Sequence, residues 1–408
     1  MGVAASAQIR LKTGVLGGGT VAQLAIGSYP AGYWLIEFSR EPGIEAVTEL
    51  SRRGLRVLSH VPARTLLVSA SDWFSIDGLD VSSVFAFTSD VKVSPALTSD
   101  RHTDLVVEIH PGADAQLVRG RLLQLGDVLA DNPDLADRHI LLRSAVDIGA
   151  IAALPEVAYI FPAAPELASG MPTAPCEGPL TVFGKVAQFI ATNGSGWDGA
   201  GQNATSLNYV LSQATSKLDP TQTQAEIVRA MGEWAKVVKV DWKAASDPNG
   251  ARTVNIFFAS GSHGDGYAFD GRGGVLAHTF YPSPPNPEPL AGDLHFDDAE
   301  NWHIGTGTDL FSVALHELGH ALGLGHSDSP ADVMYPYYKQ VSTLAAGDKT
   351  AILGLYAAQD STVTTTPQPQ PLVLTVNAAP VYWVAAAVPY AAAWRRVRFS
   401  WPEWGIGD

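Results

Sequence analysis

The segment HELGHALGLGH (316–326) places three of the chain's 11 histidines and one glutamate within a single short stretch. On a helix, residues four apart share a face. His316 and His320 therefore point the same way, one turn apart, and can hold one ion between them. Glu317 follows the first ligand and is poised to reach a water on that ion. A third imidazole on the same ion cannot come from simply continuing the helix, so the chain must stop and turn. Gly323 lacks a Cβ and can take the left-handed conformation that ends a helix, which brings His326 back as the third ligand. Three neutral imidazoles with a fourth position open suit a catalytic zinc rather than a closed structural one.

The reading extends in both directions. Downstream, SPADVMYP (329–336) sets Met334 just before Tyr335 and Pro336, which suits a tight turn beneath the three histidines. Upstream, His263, Asp265, His278 and His295 supply three imidazoles and a carboxylate, a full tetrahedral set suited to a structural zinc. Asp270, Asp297 and Glu300 are hard oxygen donors. FDGRGGV (269–275) between them can turn the carbonyls of Gly271, Gly273 and Val275 toward a calcium ion. His303 fits neither set and is expected at the surface.

DLFSVALHELGHALGLGHSDSPADVMYPYY (309–338) resembles the catalytic helix and methionine turn of the matrixins, the matrix-metalloproteinase group of metzincin zinc proteases. SHGDGYAFDGRGGVLAHTFYP (262–282) and GDLHFDDAENW (292–302) are similar to the metal-rich segments that precede that helix in the family. The likeness covers roughly 207–358. It implies zinc at His316, His320 and His326, a second, structural zinc, and calcium on the residues named above. It also implies a second calcium near Asp293, but Thr253 stands where the family has an acidic ligand. The implied activity is peptide-bond hydrolysis with Glu317 as general base. An extended protein or peptide substrate would lie along GGVLAHTF (273–280), beside an apolar pocket walled by Pro336 to Tyr338.

Composition sets the frame around this site. Of 408 residues, 46% are apolar and 16% charged, so most of the chain should be globular. The net charge is −15, and no basic cluster interleaved with aromatics marks a nucleic-acid partner. Cys176 is the single cysteine, so no internal disulfide can form. In the matrixins a pro-region cysteine commonly occupies the fourth zinc position and holds the enzyme latent. TAPCEGP (173–179) lacks the arginine and aspartate that flank that cysteine in the family. Cys176 is therefore either a latency switch of a zymogen or a bystander thiol.

The expected fold class is α+β. It comprises a metzincin-type catalytic domain, with a twisted mixed five-stranded sheet and three helices, preceded by two small α+β repeat modules. Residues 1–30 read as a signal-peptide remnant or a disordered start, on the small residues of VAASAQ (3–8). Residues 31–99 and 100–165 are the modules, each ordered strand, helix, strand, short helix, strand. They resemble propeptide-like modules of secreted subtilisin-like proteases and are either passive packing units or a fold-assisting or inhibitory pro-region. Residues 166–190 are a Pro/Ala-rich linker carrying Cys176, and 191–358 the catalytic domain. Residues 359–408 read as a linker and tail or a truncated further domain; their apolar run, broken by Pro389, is too short for a membrane anchor. The whole reads as a secreted, monomeric zinc endopeptidase. The alternative is a non-catalytic, metal-stabilised secreted binding protein, against which Glu317 argues because a structural zinc needs no general base.

Overall fold

The computed structural model describes residues 9–16, 27–62, 64–97, 104–129, 138–144, 148–171, 173–176, 178–182, 184–185, 196–198 and 203–361. Most of the expected leader and all of the tail beyond 361 lie outside these residues.

The first module runs β1 (Gly32–Phe38), α1 (Ile44–Arg52), β2 (Leu55–Val61), β3 (Thr65–Ala70) and β4 (Val81–Ala86). The second runs β5 (Asp104–Ile109), α2 (Ala115–Leu122), β6 (Gly126–Val128), β7 (His139–Ser144), α3 (Ile148–Ala152) and β8 (Val157–Pro162). Their antiparallel sheets have the orders β2-β3-β1-β4 and β6-β7-β5-β8, the same topology twice. Two details differ from expectation. The strand directly after each helix, β2 or β6, carries too weak an alternation to read: β2 is interrupted by a register shift after Val57, and β6 has three residues. The short helix appears as α3 in the second module. In the first, the corresponding stretch forms Phe74–Ser75, which pairs with Ser28–Tyr29.

Successive strand residues face opposite sides, and the modules bury both. In β5, Leu105, Val107 and Ile109 pack under α2 and α3, with Val118, Leu122 and Ile151. Val106 points the other way, into a core shared with Leu35, Leu67 and Phe85 of the first module. Tyr335 and Tyr337 from the C-terminal half join that same core.

After α4 (Pro165–Ala168), the chain forms β9 (Pro179–Thr181), β10 (Gly184–Lys185), β11 (Thr205–Gln213), α5 (Pro220–Ala235), β12 (Val240–Ala244), β13 (Thr253–Ala259), β14 (Ala277–Phe280), β15 (Leu294–Asp297), α6 (Leu310–Ala321) and α7 (Ala346–Leu353). The sheet order is β10-β9-β14-β15-β13-β11-β12. Five of these strands match the expected mixed sheet, with β14 antiparallel to β15 and the other neighbours parallel. The expected linker corrects that picture, because its residues 179–181 extend the sheet beyond β14 in parallel. An edge strand offers unpaired N–H and C=O groups, and β9 takes them up.

Helix α5 starts where Asp219 caps it, accepting from the N–H groups of Thr221 and Gln222. Its apolar stripe, Ile227, Met231 and Trp234, is buried against α6. The Trp234 indole N–H donates to the Leu315 carbonyl at 2.9 Å, fixing the two helices against each other. Every residue of α6 is buried, so its histidines are carried on a central rather than a surface helix.

Candidate active site

Helix α6 begins at Asp309, whose carboxylate accepts from the Ser312 N–H, and it ends at Ala321. Gly323 then adopts φ +100°, as its lack of a Cβ allows, and its N–H donates to the His320 carbonyl at 2.8 Å. That turn brings His326 back. The ring centroids of His316, His320 and His326 lie 4.7, 5.2 and 4.9 Å apart.

The hydrogen bonds around these rings fix their chemistry. His316 Nδ1 lies 2.7 Å from the Val333 carbonyl, and His320 Nδ1 lies 2.8 Å from the Leu324 carbonyl. Carbonyls only accept, so both Nδ1 atoms carry the proton and both Nε2 atoms present lone pairs. Those two Nε2 atoms face each other at 3.1 Å. Two lone pairs at that distance repel unless a cation sits between them. Zinc–nitrogen bonds of about 2.0–2.1 Å place neighbouring ligand atoms about 3.3 Å apart, so the donor set fits zinc. Burial holds His316 down to about 4 and drives His320 and His326 well below the ordinary histidine value, which keeps all three in the neutral, ligating form.

Glu317 is 2% exposed, and burial pushes it up to about 7. Its Oε2 accepts from the Thr279 hydroxyl at 2.6 Å. Its Oε1 faces Cys176, whose Sγ stands 3.4 Å away and 3.7 Å from His320 Nε2. Cys176 and the three histidines together could ligate one ion, their donor atoms all within 4.8 Å of one another. The segment bearing Cys176 is stitched into the cleft on both sides. The Cys176 N–H donates to the Pro336 carbonyl at 2.8 Å, and the Tyr338 N–H to the Ala174 carbonyl at 2.8 Å. Further on, β9 lies along β14.

Met334 is buried in one core with α6, its Sδ beneath Gly319. Its backbone N–H and that of Val333 donate to Asp348 on α7, at 3.1 and 2.9 Å, and Asp348 also accepts from Ala345. A Cβ on Gly319 would come within 2.3 Å of Met334 Sδ, with Trp234 also close, so any larger residue would have to displace that methionine. Gly319→Ala is therefore expected to overpack this contact and lower stability by about 1–3 kcal/mol, read as a reduced denaturation midpoint at unchanged slope. A midpoint equal to the parent's would show that the turn yields freely.

The cleft beside the histidines is lined by Leu276, Ser312, Val313, Tyr335, Tyr337 and Tyr338, among others. The expected wall residue Pro336 does not line it; its carbonyl is turned to Cys176 instead. Tyr338 does, and its hydroxyl accepts from the Asp309 N–H at 3.0 Å and donates to the Gly307 carbonyl.

The second histidine cluster also assembles. Asp265 Oδ2 lies 2.8, 2.8 and 2.7 Å from His263 Nε2, His278 Nε2 and His295 Nδ1, and His263 Nε2 and His278 Nε2 lie 3.2 and 3.0 Å from His295 Nδ1. Four donors converging at tetrahedral-edge distances fit a closed zinc site. The glycine-rich loop places Asp270, Asp297 and Glu300 together, and burial raises both Asp297 and Glu300. The three carboxylates are not, however, among the groups of the described residues whose donor atoms all lie within 4.8 Å of one another, so the loop as folded does not close them on one point. The expectation that Gly271, Gly273 and Val275 turn their carbonyls to an ion is not what the contacts display: their N–H groups donate to Asp297, Glu300 and Asp270. Asp293 is buried and raised to about 8, and Thr253, also buried, gives its hydroxyl to Ala251. His303 is exposed beside Asn301.

Residues 201–357 match the family model described as Matrixin. These residues are a matrixin domain. Karilysin of Tannerella forsythia is 42% identical to the chain over 182 residues, 44% of this chain and 36% of karilysin. Human matrix metalloproteinase-16 is 42% identical over 146 residues, 34% of this chain and 23% of that protein. The hatching enzyme of Paracentrotus lividus is 41% identical over 170 residues, 40% of this chain and 28% of that protein. The chain thus spans about a third or less of these relatives, and the likeness falls on the matrixin domain. No described helix is long and apolar enough to cross a membrane.

Two functional contacts escaped sequence reading. Thr279 follows His278 on β14, and strand alternation sends the two side chains to opposite faces, His278 to the second cluster and Thr279 to Glu317. That signal was present in AHTF (277–280). The Asp348 link to the methionine turn spans 14 residues or more and had no local signal.

Proposed function

We propose that the chain is a secreted zinc-dependent endopeptidase, made as a zymogen and active on protein or peptide substrates as a monomer. The observation carrying this reading is a buried carboxylate, Glu317, set beside three neutral imidazoles whose lone pairs converge. His316, His320 and His326 would hold the catalytic zinc; His263, Asp265, His278 and His295 a structural one; and the loop of Asp270, Asp297 and Glu300 calcium. Zinc bound at the first site supplies a Lewis acid for the scissile carbonyl and brings the pKa of a water down to about 7.

The chain's own residues do the rest. Glu317 takes the proton of the attacking water through Oε1 and hands it to the departing amine. Thr279 holds Oε2 so that Oε1 stays aimed into the cleft. An extended substrate takes the place of the 174–181 segment, bonding to the edge of β14 on one side and to the backbone at Pro336–Tyr338 on the other. Its side chain enters the cleft lined by Val313, Tyr337 and Tyr338. Until that segment leaves, Cys176 stands in the position the water needs, and the chain is latent.

Hydrolysis of an unfolded protein should be abolished by a zinc chelator and restored by added zinc, with loss of at least 10²-fold in rate, the scale of acid–base and metal contributions together. A rate that chelation leaves unchanged would sink the zinc mechanism, and no hydrolysis at all by the Cys176→Ser chain would favour the non-catalytic binding reading.

A further inference from the structure

The loop from Ser327 to Tyr338, which begins just after the third histidine and ends on the cleft wall, is gripped from outside the matrixin domain. Asp328 is the first anchor. Lys12, from the hairpin of Ile9–Leu11 and Gly14–Leu16, places its Nζ 2.5 Å from Asp328 Oδ1. The Ser94 and Tyr159 hydroxyls donate to Asp328 Oδ2 at 2.5 and 2.8 Å. Tyr335 is the second anchor: its hydroxyl donates to the Pro162 carbonyl at 3.0 Å and accepts from the Ala164 N–H at 2.9 Å. Tyr337 is the third, its hydroxyl 2.6 Å from His139 Nδ1. Around these bonds, both tyrosine rings are buried in one core with Ile9, Leu11, Leu141, Phe161 and Leu167.

These contacts are placed unlike a tether. A linked domain held only by its connector needs no buried ion pair. Here an ammonium and a carboxylate are both desolvated, with two hydroxyls completing the carboxylate's shell, and removing one side strands the other. The grip also accounts for the departure of TAPCEGP (173–179) from the family's pattern. No arginine–aspartate pair positions Cys176; its backbone is held by the same loop that the modules hold.

We propose that the N-terminal hairpin and the two modules are a non-covalent inhibitor of the matrixin domain, binding its Ser327–Tyr338 loop through Asp328, Tyr335 and Tyr337, and that they remain bound after the chain is cut between β10 and Trp197. Latency then has two locks, the thiol and the grip, and a single cut opens neither.

The test uses the full chain with a site-specific protease sequence inserted after Thr192. After cutting, the two fragments should co-elute in size exclusion, and peptide hydrolysis should rise less than twofold. Separate elution with a rise of tenfold or more would overturn the proposal. The same cut chain with Cys176→Ser should still co-elute; separation there would assign the association to the thiol alone. Lys12→Met, Tyr159→Phe and His139→Phe together should weaken fragment association by at least tenfold, and unchanged association would overturn the assigned contacts. Elution reads the grip whether or not the proposed peptidase activity holds, while hydrolysis alone depends on that reading.

Discussion

Replacing Glu317 with alanine should lower kcat/KM for a fluorogenic peptide by about 10²–10⁴-fold, the usual contribution of a positioned general base. Metal content should stay at the parent's level, because the three imidazoles and their carbonyl partners Val333 and Leu324 are untouched. The effect should fall on kcat more than on KM, since Glu317 moves a proton in the transition state and contributes little to holding the substrate strand. Burial is what makes the residue useful. A solvated glutamate holds its proton weakly, whereas burial, outweighing the opposing hydrogen bonds from Thr279 and Cys176, raises Glu317 toward neutrality, where it can both accept and return one. A Glu317→Ala chain that keeps its zinc and cleaves at the parent's rate would remove the mechanism altogether.

Cys176→Ser should raise the activity of the intact chain by about tenfold or more, since each 1.4 kcal/mol lost from the occluding segment frees the site tenfold. Serine keeps the size of the side chain but is a far poorer zinc ligand than a thiolate. The rise should stop short of the free domain's activity. The segment's backbone bonds to Pro336 and Tyr338, its strand on β14, and the modules' grip on the loop all remain. The check is the initial rate of freshly purified, uncut chain, with mass spectrometry confirming that it is uncut. Equal latency in the two proteins would make Cys176 a bystander and leave the backbone and the modules as the whole of the block.

The catalytic helix was legible because its information is local. Histidines at i and i+4, a glycine able to take positive φ, and a methionine a few residues on are each within a turn or two of what they act on. The second cluster was readable from ligand chemistry alone, since three imidazoles and a carboxylate have few other reasons to gather. The repeat was readable from strand alternation, and its two sheets share one strand order. The strands that went unread were those whose alternation is broken or too short to register, β2 and β6. The linker misled because proline and alanine, which often mark a connector, also suit an extended edge strand such as β9, where sheet bonds are made on few residues.

By itself, then, the sequence determined the chemistry available: which atoms can bind a metal, which acid stands beside them, and where the chain must turn. Only the tertiary structure decided what occupies the cleft and who holds its wall. Cys176 meets Glu317 across 141 positions, and Tyr159 meets Asp328 across 169. Contacts of that separation follow from how whole sheets pack, and a neighbour brought by packing leaves no trace in the residues on either side of it.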